Sequence, residues 1–223
     1  MIKGFVFDLD GVITDTAKYH FQAWKEMAAK ELNIVVTPEL NEHLKGVSRM
    51  DSLDVILRAG GKEQDYTQEQ KVALATEKND LYKKLISHMT AADILPGIND
   101  FLTDLQQNDY PISVASASFN APVIIERLGL SYILDKIVDP GTLHHGKPDP
   151  EIFEKAADLI GTPYAETVGL EDATAGIAGI KATGMFAVGI GPKSKLPAAD
   201  INFDQTGDIS LTAIERAFDR IHH

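Results

Sequence analysis

Cysteine is absent from the 223 residues, which excludes disulfides, thiolate metal sites and a cysteine nucleophile. An excess of positive charge is absent too: 21 Lys and Arg stand against 33 Asp and Glu, a formal net charge of -12. Binding to a nucleic-acid backbone is driven by Lys and Arg, so no nucleic acid is expected as a partner. A few local cations would still suffice for a small phosphorylated molecule. No apolar run approaches the roughly 18 residues that span a bilayer, so no membrane partner is expected. The N-terminus lacks a charged segment followed by a long apolar stretch and a small-residue cleavage site. No signal peptide is therefore expected, and the cytoplasm is the expected compartment. Internal repeats and low-complexity segments are also missing, and the terminal His222-His223 pair is assigned no function.

What is present begins at the first apolar run. Phe5-Val6-Phe7-Asp8-Leu9-Asp10-Gly11 rises to two aspartates one residue apart and breaks at a glycine. Alternate side chains of an extended chain share a face, so Asp8 and Asp10 are expected close together at a strand end. Carboxylates so placed repel unless a cation lies between them or one is protonated. The pair suits oxygen-ligated Mg²⁺, a nucleophile beside an acid/base, or both. A strand followed by an Asx-rich turn is the competing reading.

Hydrophobic residues make up 44% and charged residues 24%, ordinary for a globular protein with a buried core. Ile2–Phe7, Ile112–Ala115, Lys136–Val138, Thr167–Leu170 and Phe186–Ile190 read as strands. Helical stretches at Ala121–Leu128, Glu151–Ile160 and Gly176–Thr183 separate the last four. This rhythm predicts an α/β fold, a doubly wound parallel sheet with helices on both faces. Ligands of such sheets bind beyond the carboxyl ends of the strands. From Thr16 to Thr90 the pattern differs. Phe21, Trp24, Ala28 and Leu32 follow helical spacing, and Tyr66–His88 reads as a long polar helix with Leu74, Leu81 and Leu85 inside. The expected organisation is a core of residues 1–15 and 94–223, with 16–93 inserted as a helical domain.

Polar residues follow the later strands. Ser116-Ala117-Ser118 offers a hydroxyl and adjacent backbone N–H groups suited to a phosphate, although Ser116 equally suits a helix N-cap. Lys147, in Gly146-Lys147-Pro148-Asp149-Pro150, could neutralise a phosphoryl group or be a solvated loop cation. Glu171-Asp172 closes the strand from Thr167, and acidic residues there could hold a metal or simply complement a helix dipole.

Asp-X-Asp, Ser, Lys and Glu-Asp, each at the end of a successive strand, resemble the four motifs of the haloacid dehalogenase superfamily of phosphotransferases. The resemblance implies a Rossmann-like core carrying a helical cap. It implies that Asp8 is phosphorylated, that Asp10 is the general acid/base, and that Ser116, Ala117 and Lys147 bind the transferring phosphoryl group. It also implies one Mg²⁺ per active site, between Asp8, the Asp10 backbone carbonyl and Asp172, with Glu171 in support.

Within the helical segment, Thr16, His20 and Trp24 recur every four residues and share a helix face. Leu44-Lys45-Gly46-Val47-Ser48-Arg49 follows, with Ser52 beyond. Arg49 can grip a phosphate with its planar fork of donors, and Gly46 lets backbone amides approach a ligand. The plainer readings are core packing for Trp24 and a solvated surface cation for Arg49. With Asp10-Gly11-Val12-Ile13-Thr14-Asp15-Thr16 and Lys78-Asn79-Asp80, these segments resemble the β-phosphoglucomutase family.

That resemblance implies interconversion of β-D-glucose 1-phosphate and glucose 6-phosphate through an aspartyl-phosphate and β-glucose 1,6-bisphosphate, which also primes the enzyme. Gly46, Val47, Arg49, Ser118 and Asn120 would contact the sugar or the non-transferring phosphate, with His20 and Lys45 positioning the acid/base. Thr16, Trp24, Ser48, Ser52 and Lys78 are the further candidate substrate contacts, and a monomer acting on a small phosphorylated sugar is expected. Two positions depart from the family pattern. Phe119 stands where that family has lysine, between Ser118 and Asn120, and Ala173 stands where serine is frequent. A Mg²⁺-dependent sugar-phosphate phosphatase on the same scaffold is the alternative.

Overall fold

The computed structural model describes residues 1–44 and 48–222. It separates into two compact units, Met1–Asp15 with Thr90–His223, and Thr16–Met89.

The first unit is built on a five-stranded parallel sheet. Its strands are β1 (Gly4–Phe7), β2 (Ile112–Val114), β3 (Thr167–Glu171), β4 (Phe186–Ile190) and β5 (Ile201–Phe203), in the order β2-β1-β3-β4-β5. Every residue of β1 is buried, as expected of a strand covered on both faces. Alternation divides its side chains between the two sides. Phe5 and Phe7 meet Phe101 of α5 (Ile98–Gln107), each with ring centroids 5.9 Å apart. Val6 joins the opposite cluster, with Ile152, Phe153, Ala156 and Ala157 of α7 (Glu151–Ile160) and Ile177 and Ile180 of α8 (Thr174–Thr183). The chain runs from β1 to β2 on one side and later to β3 on the other, so β1 marks the topological switch point where ligands bind in open α/β sheets.

Two expectations about strands change. Lys136–Val138 forms only an isolated bridge, Ile137 to Val114, because Asp139 turns the chain at once by accepting from the Gly141 N–H. β5 was not expected. Ile201-Asn202-Phe203 is short, half-buried and broken by a polar residue, so it carries no apolar run to read. The chain re-enters the first unit at Thr90 rather than at residue 94. Thr90 opens a capped turn over Ala91–Asp93, and the Asp93 carbonyl accepts from the Thr14 hydroxyl, which ties the segment to the core.

The second unit is helical: α1 (Ala17–Met27, continued by a π-turn to Leu32), α2 (Pro38–Glu42), α3 (Arg49–Ala59) and α4 (Gln68–Ile86). Trp24, Met27, Ala28 and Leu32 pack with Leu53, Ile56 and Leu57 of α3 and Ala75 of α4. α4 starts at a capping box in which Thr67 and Gln70 exchange hydrogen bonds, two residues inside the expected Tyr66. Its buried face is Ala75, Lys78, Tyr82 and Ile86, leaving Leu74, Leu81 and Leu85 only partly covered. Among the described residues, no helix is long and apolar enough to cross a membrane. α6 (Ala121–Arg127) and α9 (Leu211–His222) complete the helices of the first unit.

Candidate active site

Sheet register builds the site. Phe7 pairs with Val114 on one side and with Leu170 on the other. The next residue of each strand is therefore level, and Asp8 emerges between Ala115-Ser116 and Glu171-Asp172. Asp8, Glu171 and Asp172 each offer a carboxylate oxygen within 4.8 Å of the others. Lys147 enters from the loop before α7. Its ammonium donates to Asp8 Oδ1 at 2.6 Å and to Glu171 Oε2 at 2.7 Å, and lies 4.9 Å from the centre of the Phe153 ring.

Electrostatics show what the cluster wants. Three carboxylates against one ammonium leave a formal charge of -2 (-3 + 1), which one divalent cation cancels. Burial pushes the Glu171 carboxyl up to about 8, with the Asp8 charge adding to it and Lys147 opposing it. Asp172, at the exposed mouth, is raised to about 6 by partial desolvation and by Asp8. Burial works against the Lys147 charge, but Asp8 and Glu171 outweigh it and hold the ammonium protonated well above its ordinary range. Hard oxygen donors that are short of positive charge fit Mg²⁺. Such an ion would be held by Asp8 and Asp172 and would supply charge neutralisation at the phosphoryl oxygens. The Asp10 carboxylate is not one of the three that lie within 4.8 Å of one another.

Two glycines make room for these carboxylates. Gly11 has φ +77°, and a Cβ there would overlap the Asp172 carboxylate. Gly176, inside α8, would carry a Cβ into the Glu171 carboxylate. Alanine is favoured over glycine within a helix by about 1 kcal/mol, so the helix alone would gain from Gly176→Ala. The overlap displaces the group that Lys147 grips, and that effect is expected to win at the site. Gly176→Ala should keep a folded protein while weakening apparent Mg²⁺ affinity by roughly tenfold or more, as losses of a ligand's support typically do. A Mg²⁺ titration of activity checks it, and unchanged Mg²⁺ dependence would show that Glu171 has room to move.

The segment from Ser116 to Asn120 adopts nested turns. Buried Ser116 accepts from the Ser118 N–H at 3.2 Å, and Ser118 accepts from the Asn120 N–H at 3.2 Å. These bonds use hydroxyl oxygens as acceptors and not the hydroxyl protons. Ser116 can thus hold the turn and still donate to a phosphoryl oxygen. The N-cap position of α6 falls to buried Asn120, while Ala117 lies exposed.

The helical unit brings a second group together. Lys78, almost fully buried, donates to His20 Nδ1 at 2.7 Å. Its ammonium lies 4.8 Å from the Trp24 ring centre and 4.9 Å from that of Tyr82, and His20 stacks on Tyr82 at 4.0 Å. Burial, then Lys78 and Arg49, drive the His20 pKa down to about 3, so the imidazole is neutral and carries its proton on Nε2. Arg49 opens α3, where it feels the charge of Asp80.

The remaining candidates are placed as follows. Trp24 is a core residue of this unit. Ser48 caps α3, accepting from the Asp51 N–H and donating to the Asp51 carboxylate at 2.6 Å. Ser52 is buried on α3, and Thr16 is the N-cap of α1. Lys45, Gly46 and Val47 lie outside the described residues. Phe153 and Tyr82, which flank the two lysines, were not anticipated: each has the spacing of an ordinary core aromatic, and nothing in sequence marks a ring that faces a cation.

A family model described as haloacid dehalogenase-like hydrolase matches residues 2–184. The chain belongs to that family. Phosphotransferases of the haloacid dehalogenase family generally use Mg²⁺, in keeping with the acidic cluster. The chain is 45% identical over 219 residues to a β-phosphoglucomutase of Bacillus subtilis strain 168, covering 98% of this chain and 96% of that protein. The crystal structure of a β-phosphoglucomutase from Clostridium difficile superposes with a TM-score of 0.95 at 42% identity, covering 100% of this chain and 99% of the other. A fructose-1-phosphate phosphatase of Escherichia coli is more distant, 26% identical over 187 residues, 84% of this chain and 95% of that protein. The resemblance read from the residues holds, and it extends through the helical unit as well as the core.

Proposed function

We propose that this chain is a phosphomutase that interconverts β-D-glucose 1-phosphate and glucose 6-phosphate. The observation that carries the reading is Asp8, held by Lys147 between Ser116, just beyond the end of one neighbouring strand, and Glu171-Asp172 at the end of the other. Near full-length similarity to a mutase at 45% identity supports isomerisation over hydrolysis.

In this reading an Asp8 carboxylate oxygen attacks phosphorus and the sugar oxygen leaves. Lys147 offsets negative charge on Asp8 and on the incoming phosphoryl oxygens, while Ser116 and the Ala117 N–H orient them. Asp10 protonates the leaving oxygen, and on the return step it takes the proton from the attacking hydroxyl. A mutase must hold a second phosphoryl group while the first is transferred, and Arg49 is the cation assigned to it. Neutral His20, fixed by Lys78, is assigned to positioning, with Ser118 and Asn120 to the sugar. β-Glucose 1,6-bisphosphate is both intermediate and primer.

The test is ³¹P NMR of β-glucose 1-phosphate with enzyme, Mg²⁺ and a trace of bisphosphate. Glucose 6-phosphate accumulating without inorganic phosphate is the expected result. Stoichiometric inorganic phosphate would make the chain a sugar-phosphate phosphatase.

A further inference from the structure

Phe119 is a large apolar side chain where an aqueous phosphate site would not need one. It is 63% exposed, although its chain neighbour Asn120 is buried and Ser118 is partly covered. Nested turns at Ser116–Ser118 and Ser118–Asn120 fix its backbone. The edge of its ring faces Gly141, in the turn that Asp139 closes, at 3.6 Å from the point a Cβ on that glycine would occupy. The ring stands beside that turn and is largely open to solvent, three residues from the hydroxyl assigned to the phosphoryl group. It is not a member of the core cluster that packs Val6 against Phe153. A phenyl ring cannot pair with a phosphate charge. It can accept an apolar surface, and a β-glucopyranose ring offers one. With every substituent equatorial, each face of that ring presents only C–H bonds.

We propose that Phe119 is a specificity-determining platform, on which the C–H face of a pyranose sugar phosphate stacks. The inference rests on the phosphotransfer reading above. It adds that the enzyme selects cyclic all-equatorial sugars over open-chain sugar phosphates through this ring rather than through hydrogen bonds alone. A polar loop residue would bind both classes alike, whereas a ring rewards only a substrate with a flat apolar face.

The test compares wild type with Phe119→Ala, Phe119→Tyr and Phe119→Lys on three substrates: β-glucose 1-phosphate, an open-chain hexitol phosphate, and acetyl phosphate. Acetyl phosphate reports phosphorylation of Asp8 without any sugar. Phe119→Ala should lower kcat/KM for β-glucose 1-phosphate by roughly five- to tenfold, the range of a lost aromatic contact, and leave the other two substrates unchanged. Phe119→Tyr should keep wild-type preference, and Phe119→Lys should behave like the alanine variant. Equal losses on all three substrates for Phe119→Ala would mean a disturbed phosphate loop and would overturn the platform. So would a lysine variant that binds β-glucose 1-phosphate tighter than wild type, since residue 119 would then face a phosphate. Wild type active on β-glucose 1-phosphate with an indifferent alanine variant defeats the platform alone. Wild type inactive on it defeats the mutase reading and the platform together.

Discussion

Asp8→Asn is expected to abolish turnover, with a loss of about 10⁴-fold or more, the scale seen when a nucleophile is removed. An amide has nearly the shape of the carboxylate but no anionic oxygen with which to attack phosphorus. The substitution should not harm the fold. Asp8 lies within 4.8 Å of two other carboxylates and contributes to the raised pKa of both. Removing its charge relieves that repulsion, while Lys147 keeps Glu171 at 2.7 Å as a partner. A thermal midpoint equal to or above that of wild type, together with no phosphoprotein after incubation with acetyl phosphate, is the predicted pair of results. Residual turnover above a few per cent in the purified variant would remove the aspartyl-phosphate from the mechanism.

Asp10→Asn separates binding from proton transfer. A positioned acid/base contributes about 10²–10⁴-fold, and kcat should fall by that factor. Because residue 10 is assigned to the metal through its backbone carbonyl, and its carboxylate lies outside the acidic cluster, Mg²⁺ affinity should persist. Bound β-glucose 1,6-bisphosphate should also persist, and should accumulate on the protein if its release needs the acid. Isothermal titration with Mg²⁺ and with bisphosphate, set beside kcat, checks all of this. Lost Mg²⁺ binding with kcat otherwise preserved would mean that the Asp10 side chain serves the metal and not the proton.

The core of the site was legible because its chemistry is written as punctuation at strand ends. An apolar run followed at once by Asp8, by Ser116 or by Glu171 needs only parallel pairing to bring these residues level, and the register supplies that. Lys147 was legible by its motif and not by its surroundings: an isolated lysine before a helix looks the same whether solvated or buried between two carboxylates. The helical unit was harder. Thr16, His20 and Trp24 share a face by spacing, and His20 and Trp24 both meet Lys78, yet Trp24 also joins the core. Periodicity gives a face and cannot tell its edge from its centre. Ser48 illustrates a further limit, since it makes the cap bond of α3 and a hydroxyl before a helix serves a cap as readily as a ligand, so its position in sequence does not separate the two. β5 stayed hidden because a short edge strand needs little apolar sequence.

The position of β1 also dictates an order of events during synthesis. It is an inner strand of the sheet, yet both strands that pair with it come much later in the chain, at Ile112–Val114 and Thr167–Glu171. On a ribosome, Gly4–Phe7 must therefore wait unpaired while the whole of Thr16–Met89 is made. At about 5–20 residues per second that delay lasts seconds, far longer than a local helix needs to form. The contiguous helical segment can complete its own contacts in that interval, whereas Asp8 reaches its surroundings only after Asp172 has left the exit tunnel. The first residue of the acidic cluster to be translated thus waits for the last of its partners before the cluster exists.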